Sequence, residues 1–120
     1  MNPQAMNAPP LAVAYVLLHH TGQAAVPDHF DLLVDFPATP GGRLLTWRLL
    51  TPPESWLHRP PTALRLPDHR RLYLTYEGPI SGDRGHVRRV AAGMAKLLAA
   101  TSTTLTLTLP DPALTLILPR

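Results

Sequence analysis

A chain of 120 residues with 45% apolar content and a net charge of +3 has the material for one globular domain with a modest core. It has no cysteine, which excludes disulfides and thiolate metal sites, and no apolar run approaching a membrane span, which leaves the cytoplasm as the default location. Lys96 is the only lysine, so the positive charge is almost all arginine, whose planar fork suits bidentate phosphate contact; a net charge this small does not by itself announce a nucleic-acid binder.

Residues 1–10 are polar, small and proline-bearing and read as a loose tail, with residues 11–120 as a single domain. Leu11 to Leu18 is the first strand, and its apolar run leads into His19-His20. Thr21 to Asp28, with Gly22 and Pro27, is a loop that delivers the chain into a second strand, His29 to Phe36. The turn cluster from Pro37 to Gly42 predicts that the next strand, Arg43 to Leu50, pairs antiparallel with it. In that strand Leu45, Trp47 and Leu49 share one face, and Leu44, Thr46 and Arg48 the other.

Thr51 to Pro61 is an irregular loop carrying Trp56, which reads as a loop anchor. A short strand over Ala63 to Leu66 leads to Pro67-Asp68-His69, and a further strand is expected from Leu72 to Tyr76. A glycine-rich turn runs from Glu77 to Gly85, with Arg84, Arg88 and Arg89 beside it. From Val90 to Ala100 alanine, methionine, lysine and leucine favour a short helix by propensity, with Gly93 as an interruption. Thr103 to Leu109 and Leu114 to Leu118 alternate as strands. Fifteen prolines and many short strands point to a mainly β chain, a small antiparallel β-barrel with little helix.

Three of the six histidines fall between Tyr15 and Asp35. Side chains in a strand repeat with a period of two, so His29 and Asp31 point to one face and Phe30, Leu32, Val34 and Phe36 to the other, which is the apolar core side. By the same alternation only one of His19 and His20 can join them. Two imidazoles and a carboxylate make a ligand set suited to manganese, iron or zinc. A lone His-x-Asp is common, and spacing alone argues weakly for it.

Taken together, these segments resemble the 3′-phosphoesterase domain of bacterial DNA ligase D, a family that also occurs as short stand-alone proteins. The features in common are the opening strand ending in histidine (Tyr15 to His20), the triplet His29-Phe30-Asp31 and the strand with a central tryptophan, Gly42 to Trp47. Asp68-His69 followed at the family spacing by Tyr76-Glu77-Gly78 completes the set, and the likeness fades after Arg89.

The resemblance implies a metal-dependent enzyme, with Mn2+ or Zn2+ as cofactor, that removes a 3′-phosphate or 3′-ribonucleotide from DNA ends during repair, with a repair ligase as a candidate partner. It implies His20, His29 and Asp31 as metal ligands, and His69 and Tyr73 as catalytic residues beside the scissile phosphate. Two positions depart from the family: Leu33 stands where it has an arginine, and Pro67 where it has an acidic residue. Arg48, Arg84 and Arg88 are the candidates for phosphate binding in place of the missing arginine. The alternative is a catalytically silent relative that binds DNA ends or a repair partner.

Overall fold

The computed structural model describes residues 10–120, so the tail expected over residues 1–10 lies outside the described residues apart from Pro10. Eight strands run as β1 (Leu11–Thr21), β2 (His29–Val34), β3 (Leu44–Leu49), β4 (Ala63–His69), β5 (Gly78–Pro79), β6 (His86–Ala100), β7 (Thr104–Leu109) and β8 (Leu114–Pro119). They form one antiparallel sheet in the order β4-β3-β2-β1-β6-β7-β8, with β5 added along β6. The sheet curls into a half-barrel, and the Trp47 indole nitrogen donates across its open side to the carbonyl of Pro119 at 2.6 Å. The chain is mainly β, as expected from its short alternating runs, and among the described residues helical structure is limited to three 3₁₀ turns.

Alternation decides what each face carries. Tyr15 and Leu17 of β1, Leu32 and Val34 of β2, and Leu45, Trp47 and Leu49 of β3 pack inside the curl against Leu105, Leu107, Leu116 and Leu118. Phe30 and Phe36 pack against this cluster, as the period-two reading of β2 requires. Trp56 is buried in the same core, and its Nε1 donates to the Thr51 carbonyl at 3.1 Å, anchoring the proline-rich loop.

The other face of β1 and β2 is covered as well. Val16, Leu18, Leu33, Leu44 and Val87 form a second, smaller cluster, roofed by Tyr73, Leu74, Tyr76 and Ile80. This roof is a segment expected to be a strand from Leu72 to Tyr76; instead Arg71–Leu74 is a 3₁₀ turn. Turning there lets Tyr73 and Leu74 fold down onto the sheet, which a flat edge strand would not. Arg71 clamps the roof to the end of β2 through two bonds to the Asp35 carboxylate, 2.7 and 2.5 Å.

The helix expected over Val90 to Ala100 is absent. Those residues are the second half of β6, which pairs with β1 from Leu11↔Leu97 to Thr21↔His86. Local propensity is worth a few tenths of a kcal/mol per residue, and the ladder from Leu17↔Ala91 to Leu11↔Leu97, with Lys96 to Ala100 paired to β7 on the other side, outweighs it. Gly93, which reads as a helix interruption, sits opposite Tyr15 with a φ of 157°, a conformation that suits glycine. No helix among the described residues is long and apolar enough to cross a membrane.

Candidate metal centre

β1 and β2 place His20 directly opposite His29, and both share the face of Asp31. The three side chains are buried, and one ligand atom from each lies within 4.8 Å of the others, a group that could hold a metal ion. His19 points the other way and stacks on Phe30 at 4.5 Å, so His20 is the member of the pair that joins the cluster.

Hydrogen bonding on the far side of each ring fixes which nitrogen faces the cluster. His29 Nδ1 lies 2.9 Å from the carbonyl oxygen of Pro27, and His20 Nε2 lies 2.7 Å from that of Arg84. A carbonyl oxygen only accepts, so each of these nitrogens carries a proton. In the neutral rings His29 Nε2 and His20 Nδ1 are therefore bare lone pairs. They face the two Asp31 oxygens at 3.2 and 3.3 Å, acceptor against acceptor. His29 Nε2 and Asp31 Oδ1 are both buried without a hydrogen-bond partner. A buried arrangement of this kind needs a cation between the lone pairs, either a proton or a metal ion. Backbone carbonyls that hold the outer N–H of each ring are the usual support of metal-binding imidazoles.

Electrostatics agree with that count. The contact with Asp31 raises the His20 pKa above its ordinary value; burial works against the rise and the Arg84 carbonyl adds to it. Burial pushes the Asp31 carboxyl up, but contacts with His20 and His29 outweigh it and hold the group at about 2. Asp31 is thus an anion throughout the neutral range.

Gly85 is the residue that brings the Arg84 carbonyl to His20. It has a φ of 88°, and a Cβ there would run into the Thr21 carbonyl oxygen and the Gln23 amide of the facing loop. The loop between β1 and β2 and the turn before β6 therefore meet backbone to backbone beside the cluster.

A cavity of about 790 Å³ opens over His20 and Asp31, within the size range of small-ligand sites. His69 and Tyr73 line it, their rings edge to face at 5.9 Å. His69 Nδ1 lies 3.0 Å from the Pro67 carbonyl oxygen, which leaves Nε2 unprotonated in the neutral ring. The same local device thus serves twice, in Pro27-Asp28-His29 and Pro67-Asp68-His69: the proline carbonyl two residues back holds the ring. The repeated triplet is legible in the sequence once the two sites are compared.

Leu33 does not face the cavity. It is fully buried in the second cluster beneath the roof, so this position has no opening in which an arginine could hold phosphate. Arg48 pairs directly with Asp31 across the β2–β3 ladder and lines the cavity, and its buried Nε has no hydrogen-bond partner. Arg84 also lines the cavity, with its side chain held by Ser81 at 2.7 Å. Arg88 does not: it pairs with His19, on the opposite face from the cluster. Arg43 and Arg70, which sequence reasoning passed over, line the cavity instead. Pro67 lines it too, where the sequence resemblance calls for an acid.

No protein-family model matches the chain, and no curated protein matches it in sequence.

Proposed function

We propose that this protein is a metal-dependent phosphoesterase that removes a terminal phosphate or ribonucleotide from the 3′ end of DNA during repair. The observation that carries the reading is the pair of buried acceptor–acceptor contacts, His29 Nε2 to Asp31 Oδ1 and His20 Nδ1 to Asp31 Oδ2, at the base of a cavity lined by arginines. The donor set of two imidazoles and one carboxylate fits a divalent ion such as Mn2+ or Zn2+. Such an ion would polarise a phosphoryl oxygen and lower the pKa of a bound water.

The remaining work falls to the chain's own residues. Arg48, beside Asp31, binds a non-bridging oxygen of the phosphate and takes the part of the arginine that the family has at the Leu33 position. His69, in its imidazolium form, gives the Nε2 proton to the leaving 3′ oxygen as the phosphorus–oxygen bond breaks, while Nδ1–H stays bonded to the Pro67 carbonyl and keeps the ring oriented. Tyr73 packs against His69 and limits how far that ring can turn. The roof of Tyr73, Leu74, Tyr76 and Ile80 shields the apolar floor beside the cluster from water.

The test is phosphate release from 3′-phosphorylated DNA with added Mn2+, using the parent chain, Arg48→Ala and His69→Ala. The reading predicts metal-dependent release, reduced by Arg48→Ala roughly a hundredfold, or on the order of 3 kcal/mol of lost transition-state contact. Absence of release by the parent chain, with metal bound, would rule the esterase out in favour of a silent DNA-end binder.

A further inference from the structure

Of the ten arginines among the described residues, two are bonded to a carboxylate and four others line the cavity. Arg65 and Arg71 are each bonded to a carboxylate, Asp68 at 2.6 Å and Asp35 at 2.5 Å. Arg43, Arg48, Arg70 and Arg84, which line the cavity, have no carboxylate partner. Two acids line the cavity: Asp31 belongs to the metal cluster and Asp68 is bonded to Arg65, so four arginines against these two leave the wall with a net positive charge.

Two of these four cavity-lining arginines, Arg43 and Arg70, take neighbouring positions at the end of the β3–β4 ladder remote from Arg48. Leu44 faces His69 in the β3–β4 ladder, so the next positions outward are Arg43 and Arg70. The Arg70 guanidinium rests 5.7 Å from the centre of the Tyr73 ring, and both residues line the cavity. Arg48 lies five positions further along β3, which places its Cα roughly 17 Å from that of Arg43 at the rise of an extended strand. A single phosphate bound at the cluster cannot also occupy the far end. A chain of phosphates can.

We propose that Arg43 and Arg70 form a second phosphate subsite, and that the ligand class is a nucleic-acid strand whose 3′ end lies at the cluster and whose upstream phosphates lie along the β3–β4 end. The identity of the terminal group rests on the phosphoesterase reading; the upstream subsite does not. Planar guanidinium forks match phosphate oxygens bidentately, and a track of them confers affinity without sequence preference. The substrate is then an oligonucleotide, in preference to a nucleoside monophosphate or another small phosphoester.

The experiment measures binding of a 3′-phosphorylated oligothymidylate in the presence of chelator, by fluorescence anisotropy over a range of salt, beside hydrolysis with Mn2+ of the same oligonucleotide and of thymidine 3′-phosphate. Each phosphate contact on a single strand contributes about 0.7 to the slope of log affinity against log salt. The double variant Arg43→Ala/Arg70→Ala should lower that slope by about 1.4 and weaken binding at least tenfold. A control pair on exposed arginines away from the cavity, Arg59→Ala/Arg120→Ala, should leave the slope unchanged. The ratio of kcat/KM on the oligonucleotide to that on thymidine 3′-phosphate should also fall in the double variant.

An equal loss in the control pair would overturn the subsite, because bulk charge would then explain the binding. So would an oligoglutamate of the same charge binding with the same affinity and slope. Hydrolysis of both substrates with an unchanged slope would remove the subsite and leave the esterase standing. Arg43- and Arg70-dependent binding without any hydrolysis would leave the subsite standing and remove the esterase.

Discussion

His29 Nε2 lies 3.2 Å from Asp31 Oδ1, both atoms are buried, and in the neutral ring neither has a proton to offer the other. The Pro27 carbonyl enforces this by taking the only N–H of the ring. The protein thus stores an unfavourable contact that a cation relieves, and the expectations below follow from that relationship and its surroundings.

The ion-free protein should show a pH dependence opposite to that of the metal-bound one. The Asp31 pKa is held down at about 2, so its contribution, on the order of 2 kcal/mol, is lost as the pH falls from its unfolded value near 4 toward 2, and it also fades at higher pH as His20 gives up its proton. The His20 pKa is raised, so its contribution is fully present below about 6.5 and lost as the pH rises through the folded value. Chelated protein should melt lower at about pH 8 than at about pH 5, whereas Mn2+, which needs neutral imidazole, should stabilise more at the higher pH. Thermal melts at the two pH values with chelator or Mn2+ check this; a chelated melting temperature that does not change between them would contradict it.

Asp31→Asn should abolish metal-dependent stabilisation and cost little in the ion-free protein above neutral pH. The amide keeps the shape of the carboxylate and adds an N–H that can donate to His20 Nδ1 or His29 Nε2. His29→Ala is the poorer probe, because His29 is only 1% exposed and truncation leaves a hole as well as removing a ligand. Melting curves of Asp31→Asn with and without Mn2+ are the check. A drop of several kcal/mol in chelator would mean the carboxylate is there for structure.

Leu33→Arg, the change that would restore the arginine expected from the sequence resemblance, should not improve activity. It would put a charge among Val16, Leu18, Leu44 and Val87, where nothing pairs with it, at a cost of about 3–5 kcal/mol. Denaturant unfolding of the variant measures this, and a soluble, fully stable Leu33→Arg protein with a higher rate would show that the roof opens readily.

Gly85→Ala should weaken metal binding although residue 85 holds no ligand. Its Cβ would push the Arg84 carbonyl away from His20 and strain the loop that leads to His29. Loss of the outer bond to an imidazole ligand typically costs about 10–100-fold in metal affinity. Unchanged affinity would mean the two loops have more freedom than their packing shows.

What could be read in advance was whatever alternation and short-range pairing decide. The faces of β2 and β3 followed from period two, and with them the placing of His29 beside Asp31 and of Leu32 and Val34 in the core. The choice between His19 and His20 needed the β1–β2 register, which no local pattern specifies. Val90 to Ala100 reads as a helix because its composition favours one, while the strand it pairs with, β1, lies some eighty residues earlier. Burial of Leu33 depends on a roof from residues 73–80, and Arg43 and Arg70 become neighbours only through the β3–β4 ladder. Contacts of such sequence separation leave no local signature.

The most direct test of the metal centre is isothermal titration calorimetry of the chelator-stripped parent chain with Mn2+ and with Zn2+, in two buffers of different ionisation enthalpy near neutral pH. The account predicts one ion per chain, net proton release that grows as the pH falls, and loss of binding in Asp31→Asn. No binding by the parent chain, or equal affinity in Asp31→Asn, would contradict it.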